Sequence, residues 1–81
     1  MSIYNPIHDR LQRSNAASLK LSFTEIEELI GRPLPQSAYD RTEWWSNEDL
    51  ATTKHVQCHA WQTAGYSAEV NLGARTVTFR R

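Results

Sequence analysis

Residues 19–27, LKLSFTEIE, place a strand directly before the start of a helix. Apolar and polar residues alternate over residues 19–23, and this period of two is typical of a strand with one buried face. Thr24 and Glu27 have the spacing of a capping box, in which the threonine caps a helix and the glutamate reaches back to it. The stretch therefore predicts a strand followed without a loop by a helix.

The same stretch is flanked by further helix signals. Apolar residues recur at helical spacing up to Ile30, and Gly31 suits the left-handed conformation in which helices often end. Near the start of the chain, Asn5 can cap a helix and Pro6 suits its first position. Residues 15–18, NAAS, are expected to end that first helix before the strand begins.

The second half of the chain predicts two more helices and a hairpin. Residues 37–45 favour a helix that runs into two tryptophans, and residues 53–64 carry an apolar stripe that Gly65 stops. Residues 66–79 then alternate between apolar and polar side chains on both sides of Gly73-Ala74, which suits a two-residue turn.

Together these elements predict a compact, winged-helix-like α+β fold over residues 1–81, as a single domain. It consists of an N-terminal helix, one strand, two to three helices and a C-terminal β-hairpin. The first strand has an apolar face that needs partners, and the C-terminal hairpin is the candidate for pairing with it. The expected core residues are Leu21, Phe23, Ile26, Leu29, Ile30, Trp61, Val70, Val77 and Phe79.

Composition narrows the class of protein. Eighty-one residues support one thin core, and Cys58, the single cysteine, has no intramolecular disulfide partner. We expect a cytoplasmic protein, because neither a signal peptide nor a stretch able to span a bilayer is apparent. The net charge is zero, but residues 24–50 hold seven acidic against two basic side chains, while both ends of the chain are basic. This charge pattern is weaker support for nucleic-acid binding than a strongly basic chain would be.

The adjacent pair Trp44-Trp45 is the most distinctive feature of the middle segment. Neighbouring side chains cannot share one face of a helix or strand, so we expect one indole in the core and the other in a groove. We place Trp45 in the groove, because it borders the polar loop that starts at Ser46.

Several residues around this loop suit nucleic-acid recognition. Asn and Gln side chains can read adenine, and aromatic rings stack on exposed bases, whereas basic side chains bind phosphates. The alternative interpretation is an aromatic core beside a solvated loop. The candidate nucleic-acid-binding residues are Trp45, Asn47, His55, Gln57, Arg41, Lys54 and Arg80.

We expect neither a metal site nor a catalytic cysteine. His55, Cys58 and His59 have helical spacing, but the glutamate of zinc-protease helices is missing because residue 56 is valine. Cys58 has no recognisable oxyanion loop near it in sequence. We therefore expect no metal, no cofactor and no enzymatic activity.

The chain resembles a family of small, uncharacterised prokaryotic domains over nearly all of its length from Tyr4. The shared pattern is LSFTEIE (21–27), IG (30–31), PLP (33–35), SA (37–38), WWSN (44–47), His55, Gln57, AW (60–61), AGY (64–66) and VTF (77–79). Such domains occur alone or joined to modules that include restriction-type nucleases, which implies a nucleic-acid-reading accessory. Cys58 and His59 lie outside the pattern. The family is also basic just before the tryptophan pair, where this chain has DRTE at residues 40–43.

We therefore expect a non-enzymatic DNA-binding domain of a prokaryotic or phage system. It would read a base or modified base with the tryptophan loop, which consists of Trp44-Trp45 and the polar residues that follow from Ser46. The alternative is a protein-interaction module or small inhibitor that acts on a defence or phage protein. The aromatic and amide side chains and the basic ends favour DNA, whereas the acidic middle segment and zero net charge favour a protein partner.

Overall fold

A computed structural model describes residues 2–14 and 16–81. Residue 15, the first of the segment predicted to end the N-terminal helix, lies outside the described part of the chain. The elements of the described residues are, in order, α1 (Asn5–Arg13), β1 (Ser18–Ser22), α2 (Phe23–Ile30), α3 (Gln36–Asp40), a 3₁₀ helix (Thr42–Trp45), α4 (Gln57–Gln62), β2 (Ser67–Asn71) and β3 (Thr76–Arg80).

The strands form an antiparallel sheet in the order β1-β3-β2. Strand β3 lies in the centre, with Val77 opposite Leu21 on one side and Val70 on the other. This confirms that the strand early in the sequence pairs with the C-terminal hairpin. Leu21 and Val77 are buried, whereas Lys20 and Glu69 project from the opposite, solvent-facing side. The described residues thus form a compact α+β domain of four α-helices and three strands.

Helix α2 begins earlier than predicted. Its cap is Ser22, whose Oγ accepts a hydrogen bond from the Glu25 backbone at 3.0 Å, while Glu25 Oε1 accepts from the Ser22 backbone at 2.9 Å. The predicted capping box of Thr24 and Glu27 is therefore wrong by two residues, because Ser22 and Glu25 have the same spacing and close the helix directly at the strand end. Gly31 ends the helix at a φ of 74°, as expected.

Glu27 instead holds the segment that follows α2. Its carboxylate accepts hydrogen bonds from the Leu34 backbone at 2.7 Å and from the Tyr39 hydroxyl at 2.8 Å. The bond to Glu27 and, to a smaller extent, desolvation raise the pKa of Tyr39. This side chain therefore connects helix α2 both to residues 32–35, a connector that contains two prolines, and to helix α3.

Three other elements differ from the prediction, the first being the helix predicted over residues 37–45, which is divided at Arg41 into α3 and the 3₁₀ helix. The hairpin turn spans residues 72–75 rather than Gly73-Ala74 alone, since the ladder ends with Asn71 opposite Thr76. Asn71 Oδ1 accepts from the Ala74 backbone at 3.0 Å, and this bond helps to shape the longer turn. Helix α4 covers only Gln57–Gln62 of the predicted residues 53–64.

One hydrophobic core joins the sheet to the helices. Six of the nine expected core residues are buried, and Leu29, Ile30 and Val70 pack at its margin. The buried six are Leu21, Phe23, Ile26, Trp61, Val77 and Phe79. Helix α1 covers the core through Ile7 and Leu11. Within residues 2–14 and 16–81, no helix has the length and hydropathy needed to cross a bilayer.

Candidate functional site

The two adjacent tryptophans diverge, but in the opposite sense to the prediction. Trp45 is only 2% exposed, and its indole Nε1 donates a hydrogen bond to the Ala38 carbonyl oxygen at 2.9 Å. Its ring stacks between Phe23, at a centroid distance of 5.1 Å, and Trp61, at 5.8 Å. The expectation that Trp45 faces a groove is therefore wrong, because this indole completes the aromatic interior of the domain.

Trp44 is the indole that reaches the surface. Residues 42–45 form a 3₁₀ helix, which turns successive side chains by about 120° and so points Trp44 away from the core position of Trp45. Trp44 is half-buried and packs edge-on against Trp45, at 4.6 Å, and Tyr4, at 5.6 Å. These two contacts fix its ring.

Trp44 lines a surface groove of about 390 Å³. A groove of this size falls within the range of small-ligand sites. Three of the predicted site residues, Arg41, His55 and Gln57, line it as well. The sequence interpretation did not include the remaining lining residues, Ser37 and Glu43.

Gln57 forms part of the groove with its side-chain orientation fixed. Its Nε2 donates a hydrogen bond to the Trp44 carbonyl oxygen at 3.1 Å, and the residue is 8% exposed. This bond also connects the first turn of α4 to the 3₁₀ helix that carries the tryptophans.

The side-chain amide of Asn47 forms hydrogen bonds within the domain, and Asn47 does not line the groove. Its Oδ1 accepts from the Ala68 backbone at 2.7 Å and from the Trp61 indole at 2.9 Å, and its Nδ2 donates to the Ala68 carbonyl oxygen at 3.0 Å. We therefore assign Asn47 a structural role, because an amide with these bonds cannot read a base edge without releasing them.

The loop between the 3₁₀ helix and α4 is held by two further side chains. The Gln62 carboxamide bonds both backbone groups of Glu48, at 2.8 Å to its N–H and 2.7 Å to its carbonyl oxygen. The Glu48 carboxylate accepts from the Thr53 hydroxyl and lies 2.9 Å from His55 Nδ1. The bond from Thr53, followed by the one from His55, lowers the pKa of Glu48. This network places His55 at the groove.

The other two predicted phosphate-binding residues lie outside the groove lining. Lys54 is exposed in the loop before α4. Arg80 lies on the solvent-facing side of β3, where its Nε is 3.4 Å from Glu69 Oε2. Arg41 is thus the permanently charged cation of the groove lining, and Glu43 opposes it there.

The histidines and the cysteine are not arranged on one helix as their spacing predicted. His55 precedes α4, and Cys58 is buried with its thiol directed to the His55 carbonyl oxygen at 3.5 Å. Desolvation by burial raises the pKa of Cys58. Within the described residues, the structure brings no three His, Cys, Asp or Glu side chains together as a metal site.

A family model described as Domain of unknown function (DUF7662) matches residues 4–81. The chain belongs to this family. This match confirms the resemblance to an uncharacterised family of small domains. Searches of curated proteins and of solved structures found no match.

The sequence interpretation did not predict that Glu48 and Gln62 hold the loop between the 3₁₀ helix and α4 in this DUF7662 member. Both are polar residues on either side of residues 49–56, and polar side chains there are equally typical of a solvated surface. Their backbone and side-chain partners lie 14 and 7 residues away in sequence, so no local motif marks them.

Proposed function

We propose that this domain is a non-enzymatic DNA-binding module in which Trp44 stacks on an unpaired base. The observation that carries the proposal is the half-buried indole of Trp44 in the lining of an open groove. Base–aromatic stacking contributes about 1–3 kcal/mol per base, and a ring that is already fixed loses little entropy on binding.

The groove also offers complementary polar groups. Arg41 is available for a phosphate or a base edge, and His55 and Gln57 lie along the same lining. Glu43 offsets part of the positive charge, so we propose a contact with few phosphates. The resemblance to prokaryotic domains that are sometimes joined to nucleases favours a cytoplasmic role in a defence or phage system.

The order of helices and strands supports a winged-helix-like fold. It differs in one respect, because the helix that precedes the hairpin is short and largely buried. Helices α2–α4 lie between β1 and the C-terminal hairpin, as the sequence interpretation anticipated. Helix α4, which precedes the hairpin, has six residues and buries Gln57, Cys58, Ala60 and Trp61. A helix buried to this extent has little surface to insert into a major groove, which favours contact through the Trp44 groove instead.

A salt titration tests this proposal. Fluorescence anisotropy with a labelled mixed-sequence single strand and its duplex measures Kd between low and moderate salt. We expect tighter binding of the single strand and a shallow salt dependence, with a slope of about −0.7 for each neutralised phosphate. Absence of binding to either DNA at low salt would refute the proposal.

A second candidate, a protein-interaction module or small inhibitor, is favoured by one observation. Val56 is 53% exposed and Ile3 is 43% exposed, although both are large apolar residues. Val56 lines a cleft between the start of α1 and α4, and Ser2, the neighbour of Ile3 in sequence, lines the same cleft. Exposed apolar patches are typical of protein contacts. This candidate replaces DNA binding if the salt titration shows no affinity.

A further inference from the structure

The Gln57 carboxamide presents a hydrogen-bond acceptor of defined orientation. Its Nε2 donates to the Trp44 carbonyl oxygen at 3.1 Å. Turning the amide over would place Oε1 against that carbonyl oxygen, and two acceptors cannot bond each other. The nitrogen is therefore held at the backbone, and Oε1 is directed elsewhere.

Oε1 of Gln57 retains contact with solvent. Across residues 2–14 and 16–81, every fully buried side-chain nitrogen or oxygen has a hydrogen-bond partner. The described hydrogen bonds include none to Gln57 Oε1, so this atom retains access to solvent, and Gln57 lines the groove. Because the residue is only 8% exposed, the acceptor is recessed.

A recessed acceptor favours a donor that projects from its ring. The exocyclic amino groups of adenine, cytosine and guanine project in this way. The ring N–H of thymine or uracil lies between two carbonyl oxygens, which would reach the groove wall first and face the acceptor. A carbonyl held against Oε1 gains no bond and leaves two acceptors desolvated.

We infer that the groove selects unpaired bases bearing an exocyclic amino group, adenine, cytosine and guanine, over thymine and uracil, with Gln57 Oε1 as the acceptor. This inference rests on the proposed function and adds a substrate class to it. Trp44 supplies stacking that any base can use, whereas Gln57 supplies the discrimination. Arg41, on the same lining, contributes charge that all of these strands use equally.

The test changes one functional group of the ligand and uses the wild-type protein. Labelled strands of otherwise abasic deoxyribose phosphates carry one central base, either adenine or purine without the amino group, and Kd is measured by anisotropy. The two bases have almost the same stacking surface. We expect about fivefold weaker binding of the strand without the amino group, the effect of one net hydrogen bond. A central cytosine is expected to bind more tightly than a central thymine.

The outcomes separate this inference from the proposed function. Equal affinity for adenine and the amino-free purine, with binding that still depends on salt and on Trp44, overturns the amino-group inference and leaves DNA binding in place. Tighter binding of a central thymine than of a central adenine also overturns it. No binding of any strand at low salt overturns both.

A protein variant provides an independent measurement. Gln57→Met removes Oε1 while keeping a side chain of similar length, and we expect the difference between adenine and the amino-free purine to disappear. Gln62→Met is the matched control, since Gln62 is outside the groove lining and bonds the Glu48 backbone. If folded Gln57→Met retained the full difference, Gln57 would not be the discriminating residue.

Discussion

Asn47 Oδ1 accepts a hydrogen bond from the indole Nε1 of Trp61 at 2.9 Å, across 14 residues of sequence. The same oxygen accepts from the Ala68 backbone, so one amide joins the tryptophan loop, helix α4 and strand β2. Trp61 has no exposed surface, and an indole N–H buried without a partner is costly. Asn47 is therefore important for the structure that supports the groove.

Asn47→Ala is expected to destabilise the domain by about 1–3 kcal/mol, because it leaves the Trp61 donor and the Ala68 backbone groups without their partner. Urea denaturation measures the free energy of unfolding. Asn71→Ala, which removes a single acceptor from the hairpin turn, is the control and is expected to cost less. Equal losses in the two variants would contradict the assigned role.

The helix cap can be located by substitution. Ser22→Ala is expected to cost about 1 kcal/mol, because Ser22 Oγ satisfies the Glu25 backbone donor. Thr24→Ala, at the exposed position that the sequence favoured, is expected to change stability by only a few tenths of a kcal/mol. If Thr24→Ala lowered the free energy of unfolding more than Ser22→Ala in thermal or urea denaturation, Thr24 rather than Ser22 would be the helix cap.

Phe79→Ala tests the junction of sheet and aromatic interior. Phe79 is fully buried on β3 and packs 5.8 Å from the Trp61 ring, so its truncation should cost roughly 3–5 kcal/mol. Thr78→Ala, one residue earlier and on the opposite face, is expected to cost far less. A loss below about 1 kcal/mol for Phe79→Ala would contradict the packing.

The lowered pKa of Glu48 predicts how stability depends on pH. Its ordinary pKa is 4.5, and the bonds from Thr53 and His55 lower that value in the folded protein. The stabilisation is therefore complete above pH 4.5 and is lost as pH falls through the lower folded value. We expect Glu48→Gln to flatten the decline of unfolding free energy between neutral and acidic pH, measured by urea denaturation. An unchanged acid profile would show that these bonds contribute nothing.

Local patterns predicted the elements well, because they depend on neighbouring residues. Alternation identified β1 and the hairpin, and Gly31 has the left-handed conformation expected at a helix end. The cap of α2 was misplaced because Ser22-Glu25 and Thr24-Glu27 have the same spacing, and the position of the strand end decides between them.

Tertiary packing determined what the sequence left open. The choice between Trp44 and Trp45 depends on the space between Phe23 and Trp61, residues 22 and 16 positions away from Trp45. The role of Asn47 likewise depends on β2. His55 and Gln57 were predicted to share a groove with one tryptophan and do so with Trp44, whereas Asn47, predicted beside them, does not line that groove.

The most direct test of the proposed DNA binding is the affinity of Trp44 variants for a single strand. Anisotropy titrations at low salt compare the wild type with Trp44→Ala and Trp44→Phe, after circular dichroism has shown that each variant is folded. We expect Trp44→Ala to weaken binding by about 1–3 kcal/mol and Trp44→Phe, which keeps an aromatic face, to retain most of the affinity. Equal affinity in all three proteins, or none in the wild type, would contradict the account.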